Sequence, residues 1–266
     1  MSNNISITQL FIYPVKSLAG IKLEKSEVDS MGLQYDRRWM IVSPEGRFIT
    51  QRTVPKMALI NTELNGTELT LTTADKEPHI VAPTTKDSEK MNVVVWKDSL
   101  LVSKVGSAAD AWLSDALGIE CHLVYIEDDV IRQCDLDFSE EGEHTGFADG
   151  FPILIISEES LTDLNQRLDS SVDIRRFRPN IVINGAGAFA EDELKQFTIG
   201  NLKMKGVKIC SRCPLTMVDP DLGERTSQEP IATLSTYRKW DGNIFFGMNV
   251  IHQQQGMINV GDKLEV

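Results

Sequence analysis

Cysteine is scarce in this chain: four in 266 residues, at Cys121, Cys134, Cys210 and Cys213. That is too few for the disulfide framework of a secreted scaffold of this size, so reduced thiols are expected. Positive charge is also short, with 27 Lys and Arg against 39 Asp and Glu and a net charge of −12. Such a surface repels a phosphate backbone, which argues against nucleic acid as a partner. No stretch approaches the roughly 18 uninterrupted apolar residues of a membrane helix, and Met1–Thr8 has neither the basic start nor the apolar run of an export signal. The reading is a cytoplasmic protein with no membrane association. Hydrophobic residues at 41% and charged residues at 25% are ordinary globular usage, and a chain of this length can bury about 75% of its unfolded surface without staples.

What is present is mostly strand. Ile5–Tyr13 and Ile21–Val28 are β-branched, alternating runs. Trp39–Val42 and Arg47–Thr50 flank Ser43-Pro44-Glu45-Gly46, and Phe197–Ile199 and Leu202–Val207 flank Gly200-Asn201, so both pairs are predicted hairpins. Two segments carry helical spacing instead. Ser107–Leu117 has Ala109, Trp112, Leu113, Ala116 and Leu117 at that spacing, with Ser107 as cap and Gly118 as stop. Ser157–Leu168 has Ser157 as cap and Leu161, Leu164 and Leu168 on one face, which should pack on a sheet. The fold class is therefore mainly β with a few helices. A polar stretch at Thr84–Lys90 suggests a division near residue 115 into an N-terminal β-rich domain (1–115) and a second domain (116–266).

Against the acidic background, Arg37-Arg38, Arg175-Arg176 and Arg178 stand out as candidate anion sites, although solvated ion pairs explain any one of them. The sharpest feature is Cys210-Ser211-Arg212-Cys213-Pro214. A structural zinc site needs a second ligand pair, and the remaining Cys and His are scattered. A thioredoxin-like pair needs the first Cys to open a helix, whereas Pro214–Val218 reads as another strand. Buried packing thiols and a one-thiolate metal site both remain open, and spacing alone does not choose. Asn184-Gly185-Ala186-Gly187-Ala188 lacks the third glycine and the helix of a dinucleotide fingerprint, so a turn explains it. Asp219-Pro220-Asp221-Leu222-Gly223 reads as a hairpin connection, and His144 and Asp149 as members of a solvated acidic loop that could also deliver protons.

Several separated segments, in order, go further. Ile12-Tyr13-Pro14-Val15-Lys16-Ser17, Asp36-Arg37-Arg38-Trp39, Phe177-Arg178-Pro179-Asn180-Ile181, Cys210-Ser211-Arg212-Cys213, Val218-Asp219-Pro220, Phe246-Gly247 and Gly261-Asp262 span nearly the whole chain. Together they resemble the MOSC superfamily, and more narrowly the amidoxime-reducing component of mitochondria and its bacterial counterparts. The resemblance implies an N-terminal β-rich domain packed on a MOSC β-barrel domain, with a molybdenum–pterin cofactor between them. It assigns Cys213 as the molybdenum ligand and catalytic thiolate, and Cys210 as a packing residue. Lys16, Ser17, Arg37, Arg178, Asn180, Ser211 and Arg212 match cofactor contacts, and Asn249 a weaker one.

Those residue types suit the group, because a pterin phosphate is a dianion that clustered Lys and Arg hold through charge-assisted hydrogen bonds. Asn180 and Ser17 can both donate and accept, as a flat heterocycle requires, although a strand-edge role also accounts for Asn180. The activity implied is reduction of a small N-hydroxylated substrate from N–OH to N–H. No iron–sulfur ligand set is visible in the sequence. Electrons are therefore expected from a separate donor protein of ferredoxin or flavoprotein type, for which an acidic surface would suit a basic docking face. A cofactor carrier, or a sulfur carrier using a Cys213 persulfide, are the alternatives.

Overall fold

The computed structural model describes residues 5–266. Its largest sheet runs in the order Ile21–Leu23, Ser6–Ile12, Ile181–Asn184, Ile153–Ser157, Asn243–His252, Leu202–Ser211, Gln196–Ile199, Leu264–Glu265, with Lys239–Trp240 paired on the side. The far end of this path returns to the start of Ser6–Ile12. Ile7 N–H donates to the Asp262 carbonyl at 3.0 Å, Gly261 N–H to Ile7 at 2.8 Å and Leu264 N–H to Ile5 at 3.0 Å, so the sheet closes on itself and leaves no long unpaired edge. Inward residues of each strand fill the interior, among them Ile7, Ile155, Ile183, Phe197, Met204, Met248 and Val250. Gly206 is required at one point of the wall: a Cβ there would fall 1.7 Å from the Leu194 carbonyl oxygen.

All pairings in this barrel are antiparallel except Ile153–Ser157 with Ile181–Asn184. A parallel pair needs a crossover, and helix Glu158–Gln166 provides it. Ser157 caps that helix by accepting from Ser160 N–H, and the helix lies on the strands it joins.

A second sheet, Trp39–Val42, His122–Tyr125, Asp98–Lys104 and Lys90–Val95, and a three-stranded meander, Asn61–Asn65, Glu68–Thr73 and Lys76–Val81, carry the rest of the N-terminal half. Helix Ser107–Leu117 buries Ala109, Leu113 and Leu117 against them and stops at Gly118 with φ 63°. Strand pairing crosses residue 115 in both directions: Ser6–Ile12 joins the barrel, and His122–Tyr125 joins the N-terminal sheet.

Four local expectations are corrected. Ile21–Val28 is not one strand but two, because the chain leaves the barrel at Glu24 and Lys25–Asp29 pairs with Gly256–Asn259. Arg47–Thr50 returns antiparallel as expected but is too short to be a strand of its own: Ser43 N–H donates to the Arg47 carbonyl at 2.8 Å, Ile49 N–H to Ile41 at 2.9 Å, and Val42 bridges Phe48, while Gly46 and Phe48 also bond to Val94. Helix Ser107–Leu117 is preceded by Gly106 with no side-chain cap, so Ser107 is its first residue. Pro214–Met217 forms a 3-10 turn rather than a strand, as suits a proline whose fixed φ matches the first helical position.

Candidate functional site

One end of the barrel gathers the strand ends that carry the singled-out residues. Ser6–Ile12 runs out into Tyr13–Ser17, Leu202–Ser211 runs out into Arg212 and Cys213, and the loops 148–152 and 177–180 lead into the parallel pair. These segments, with Arg37, Thr50 and Arg52 from the N-terminal half, wall a cleft of about 780 Å³ of empty space, counted to its open mouth. All nine residues named from the resemblance line it: Lys16, Ser17, Arg37, Arg178, Asn180, Ser211, Arg212, Cys213 and Asn249.

Three of them, Ser17 (φ 69°), Arg37 (φ 49°) and Arg178 (φ 56°), sit in the left-handed region that side chains rarely adopt. Such strain persists only where the surroundings over-determine it. For Arg37 the cause is visible: its carbonyl accepts from Phe147 N–H at 2.7 Å, and a Cβ on Gly146 would approach that same oxygen to 2.8 Å.

The guanidiniums of Arg37 and Arg178 lie over the ring of Tyr13, at 4.4 and 4.0 Å from its centre. Arg37 donates to Asp36 Oδ2 (2.6 Å), Asn180 Oδ1 (3.1 Å) and the Arg178 carbonyl (3.0 Å). Arg178 donates to the Leu18 carbonyl at 2.6 Å, while its Nη2 is buried with no partner, as is Nε of Arg212. Burial, reinforced by the positive charge of Arg37, lowers Arg178 to about 10. Burial likewise pushes the Tyr13 hydroxyl up to about 12, against the pull of Arg178 and Arg37.

Lys16 Nζ donates to the Phe147 carbonyl (2.7 Å) and to Asp149 Oδ1 (2.6 Å). This pair is lopsided: the lysine side chain is 7% exposed and the carboxylate 67%. The ammonium therefore bears the desolvation, which lowers it to about 8 even though Asp149 pulls the other way. Partial desolvation works to raise the Asp149 carboxyl, but Lys16 outweighs it and holds the group below the usual carboxylate range.

Five cations, Lys16, Arg37, Arg52, Arg178 and Arg212, thus face the cleft against one carboxylate that lines it, Asp149, with the buried Asp36 braced behind Arg37. Two of the five, Lys16 and Arg178, are held against their preference for water. Two orphaned guanidinium nitrogens and an excess of buried positive charge are what a bound anion would satisfy. A dianionic pterin phosphate fits this donor set. The thiol of Cys213 is half-buried on the cleft wall, with no disulfide partner. Cys210 packs partly on the apolar cluster around Phe177 and Phe246, and its sulfur lies 3.0 Å from Arg212 Nη1.

Asn180 lines the cleft but its amide is committed to the barrel. Oδ1 accepts from Leu154 N–H (3.1 Å) and Arg37, and Nδ2 donates to the Phe11 carbonyl (3.3 Å). Asn249 Nδ2 donates to the Lys208 carbonyl at 3.0 Å. Of the other arginines, Arg38 binds Asp128 and the Ile126 carbonyl, Arg175 binds Asp173 and Asp221, and Arg176 binds Asp219, all away from the cleft. His144 lies outside it, while Asp149 belongs to it.

Arg52 carried no signal in the sequence. It is an isolated cation in the sequence, yet its Nη1 stands 4.0 Å from Cys213 Sγ.

Comparison with known proteins agrees with this geometry. Residues 4–120 match the MOSC N-terminal beta barrel domain and residues 142–265 the MOSC domain. Mitochondrial amidoxime-reducing component 1 of Mus musculus is 35% identical over 97% of this chain and 81% of its own length. Mitochondrial amidoxime reducing component 2 of Bos taurus is 30% identical with 97% and 82% covered. The molybdenum cofactor sulfurase of Oryza sativa subsp. japonica is 31% identical over 92% of this chain, which spans only 32% of that protein. The chain belongs to the MOSC-domain family that includes the mitochondrial amidoxime-reducing components.

Proposed function

We propose that the cleft binds a molybdenum–pterin cofactor through its phosphate, with Cys213 as the one protein ligand to the metal, and that the protein reduces small N-hydroxylated compounds. The observation that carries this reading is the Cys213 thiol sharing one cleft with buried, under-satisfied cations, while the second half-buried thiol there, Cys210, packs on the Phe177 cluster and against Arg212. Bound there, the cofactor supplies the two-electron redox chemistry. The chain's own residues hold, orient and neutralise: Lys16, Arg178 and Arg212 grip the anionic tail, Arg37 is itself braced by Asp36, and Tyr13 supports two guanidiniums from beneath. Asp149, exposed at the mouth and paired with Lys16, stands where a proton would pass from solvent.

The overall change converts N–OH, two electrons and two protons into N–H and water. The electrons come from a separate donor protein, for which the net charge of −12 favours a basic face.

Metal analysis of protein made in a molybdenum-replete host tests the ligand. Cys213→Ser is expected to lose molybdenum and Cys210→Ser to keep it, and equal retention in both would rule the ligand out. Wild-type protein given a chemical reductant and an amidoxime should then yield the amidine. Retained metal without turnover favours a cofactor carrier. A mass gain of one sulfur on Cys213 favours a persulfide carrier.

A further inference from the structure

The Cys213 sulfur stands where two hollows meet. The cationic cleft is one. The other is a wider trough that shares Asp149, Phe151 and Cys213 with it and continues past Trp96, Arg132 and Asn243. Trp96 is the anomaly in this trough. It opens the two-residue connection between Lys90–Val95 and Asp98–Lys104, with φ 55°. Tight hairpin turns reserve left-handed positions for Gly, Asn or Asp, and a bulky aromatic there is strained.

Nothing in the core requires this ring, which is 43% exposed. It is nevertheless fixed by residues of the site. The Arg52 guanidinium covers it at 4.3 Å, the Phe48 ring packs at 5.3 Å with a 51° tilt, and the indole Nε1 donates to Asp149 Oδ1 at 3.2 Å. Arg52 in turn reaches Cys213, and Asp149 holds Lys16. A strained, exposed tryptophan is thus locked against Arg52, which reaches the sulfur, and Asp149, which holds Lys16, and the part of the ring that they leave uncovered lines the trough.

Resting on the reductase reading above, we propose that Trp96 is the wall on which the substrate lies, and that the site prefers flat, conjugated N-hydroxylated compounds, such as aryl amidoximes, over saturated ones. A planar substrate gains offset or edge-on contact with an indole already immobilised by Arg52 and Asp149. A saturated ring of the same size gains only contact area. The N–OH group at the end of such a ring would then face the sulfur side of the trough.

The test compares benzamidoxime with cyclohexanecarboxamidoxime, which share a head group and differ in ring flatness. Each is titrated by calorimetry into molybdenum-loaded wild type, Trp96→Phe and Trp96→Leu without reductant, and KM and kcat are then measured with dithionite. The wild type should bind benzamidoxime about three- to tenfold more tightly than the saturated compound. Trp96→Leu should bring that ratio to about one, raising KM for the aryl substrate with little change in kcat, and Trp96→Phe should keep most of it. Molybdenum content should be equal in all three.

Equal binding of the two compounds by the wild type, or an unchanged ratio in Trp96→Leu, overturns the proposal while leaving the reductase reading intact. Loss of molybdenum in Trp96→Leu overturns it by assigning the ring to the cofactor. Wild type that neither binds nor reduces either compound overturns the reductase reading, and this proposal with it.

Discussion

Replacing Lys16 with methionine isolates what the cleft does to its own cations. The ammonium is almost fully buried, and burial lowers it from 10.5 to about 8. Each pKa unit separating folded from unfolded chain is worth about 1.4 kcal/mol, so a charged Lys16 costs the folded state roughly 3 kcal/mol at neutral pH. The sign follows from proton counting. Between about 8 and 10.5 the unfolded chain holds a proton on this lysine that the folded chain has released, so stability rises with pH across that window and the burden is fully present below it. Methionine removes the burden but leaves the Phe147 carbonyl without its donor, a loss of about 1–3 kcal/mol, while the exposed Asp149 rehydrates.

Lys16→Met should therefore change stability at pH 7 by no more than about 2 kcal/mol in either direction. The difference between wild type and variant should then move by roughly 3 kcal/mol in favour of the wild type on going from pH 7 to above 10.5. Urea unfolding of cofactor-free protein at a series of pH values measures this directly. Parallel curves for the two proteins would refute the claim that the cleft strains its lysine. Loading the wild type with cofactor should flatten its curve, because a bound dianion favours the charged lysine.

Asn180→Ala should act on the fold before it acts on the site. The 1%-exposed side chain satisfies Leu154 N–H and the Phe11 carbonyl across three barrel strands, so its loss should cost about 2–3 kcal/mol in urea unfolding of cofactor-free protein. A cost under about 0.5 kcal/mol would assign the residue to ligand contact alone. His252 should set part of the acid limit: burial, with His144 nearby, lowers it to about 4, and its Nε2 has no partner. The unfolded chain takes up a proton near 6.5 that the folded chain refuses until about 4, so stability falls as pH drops through that window. The loss is at most about 3 kcal/mol, and less for a ring that keeps some contact with water. His252→Gln should flatten the decline between pH 6.5 and 4, and an identical decline in both proteins would count against it.

Sequence alone determined the strand-rich class, two of the three α-helices of the described residues with the Ser157 cap and the Gly118 stop, and the Gly200-Asn201 hairpin, while the resemblance pointed to nine residues that line the cleft. The elements are local properties: alternation, capping chemistry and turn preference act over a few neighbours. Barrel closure was beyond its reach, since pairing Ile5–Ile7 with Gly261–Leu264 joins the two ends of the chain. So was the true course of Ile21–Val28, whose first half pairs with the preceding strand Ser6–Ile12 and whose second half pairs with the distant Gly256–Asn259. Arg52 and Trp96 were equally silent, one an isolated cation and the other an aromatic at a turn. They meet each other, and Arg52 meets Cys213, only in the tertiary structure. Which arginines face the cleft and which pair at the surface was likewise a tertiary decision, because Arg37, in the left-handed region at the end of a turn, and Arg38, at the entry to strand Trp39–Val42, find different partners.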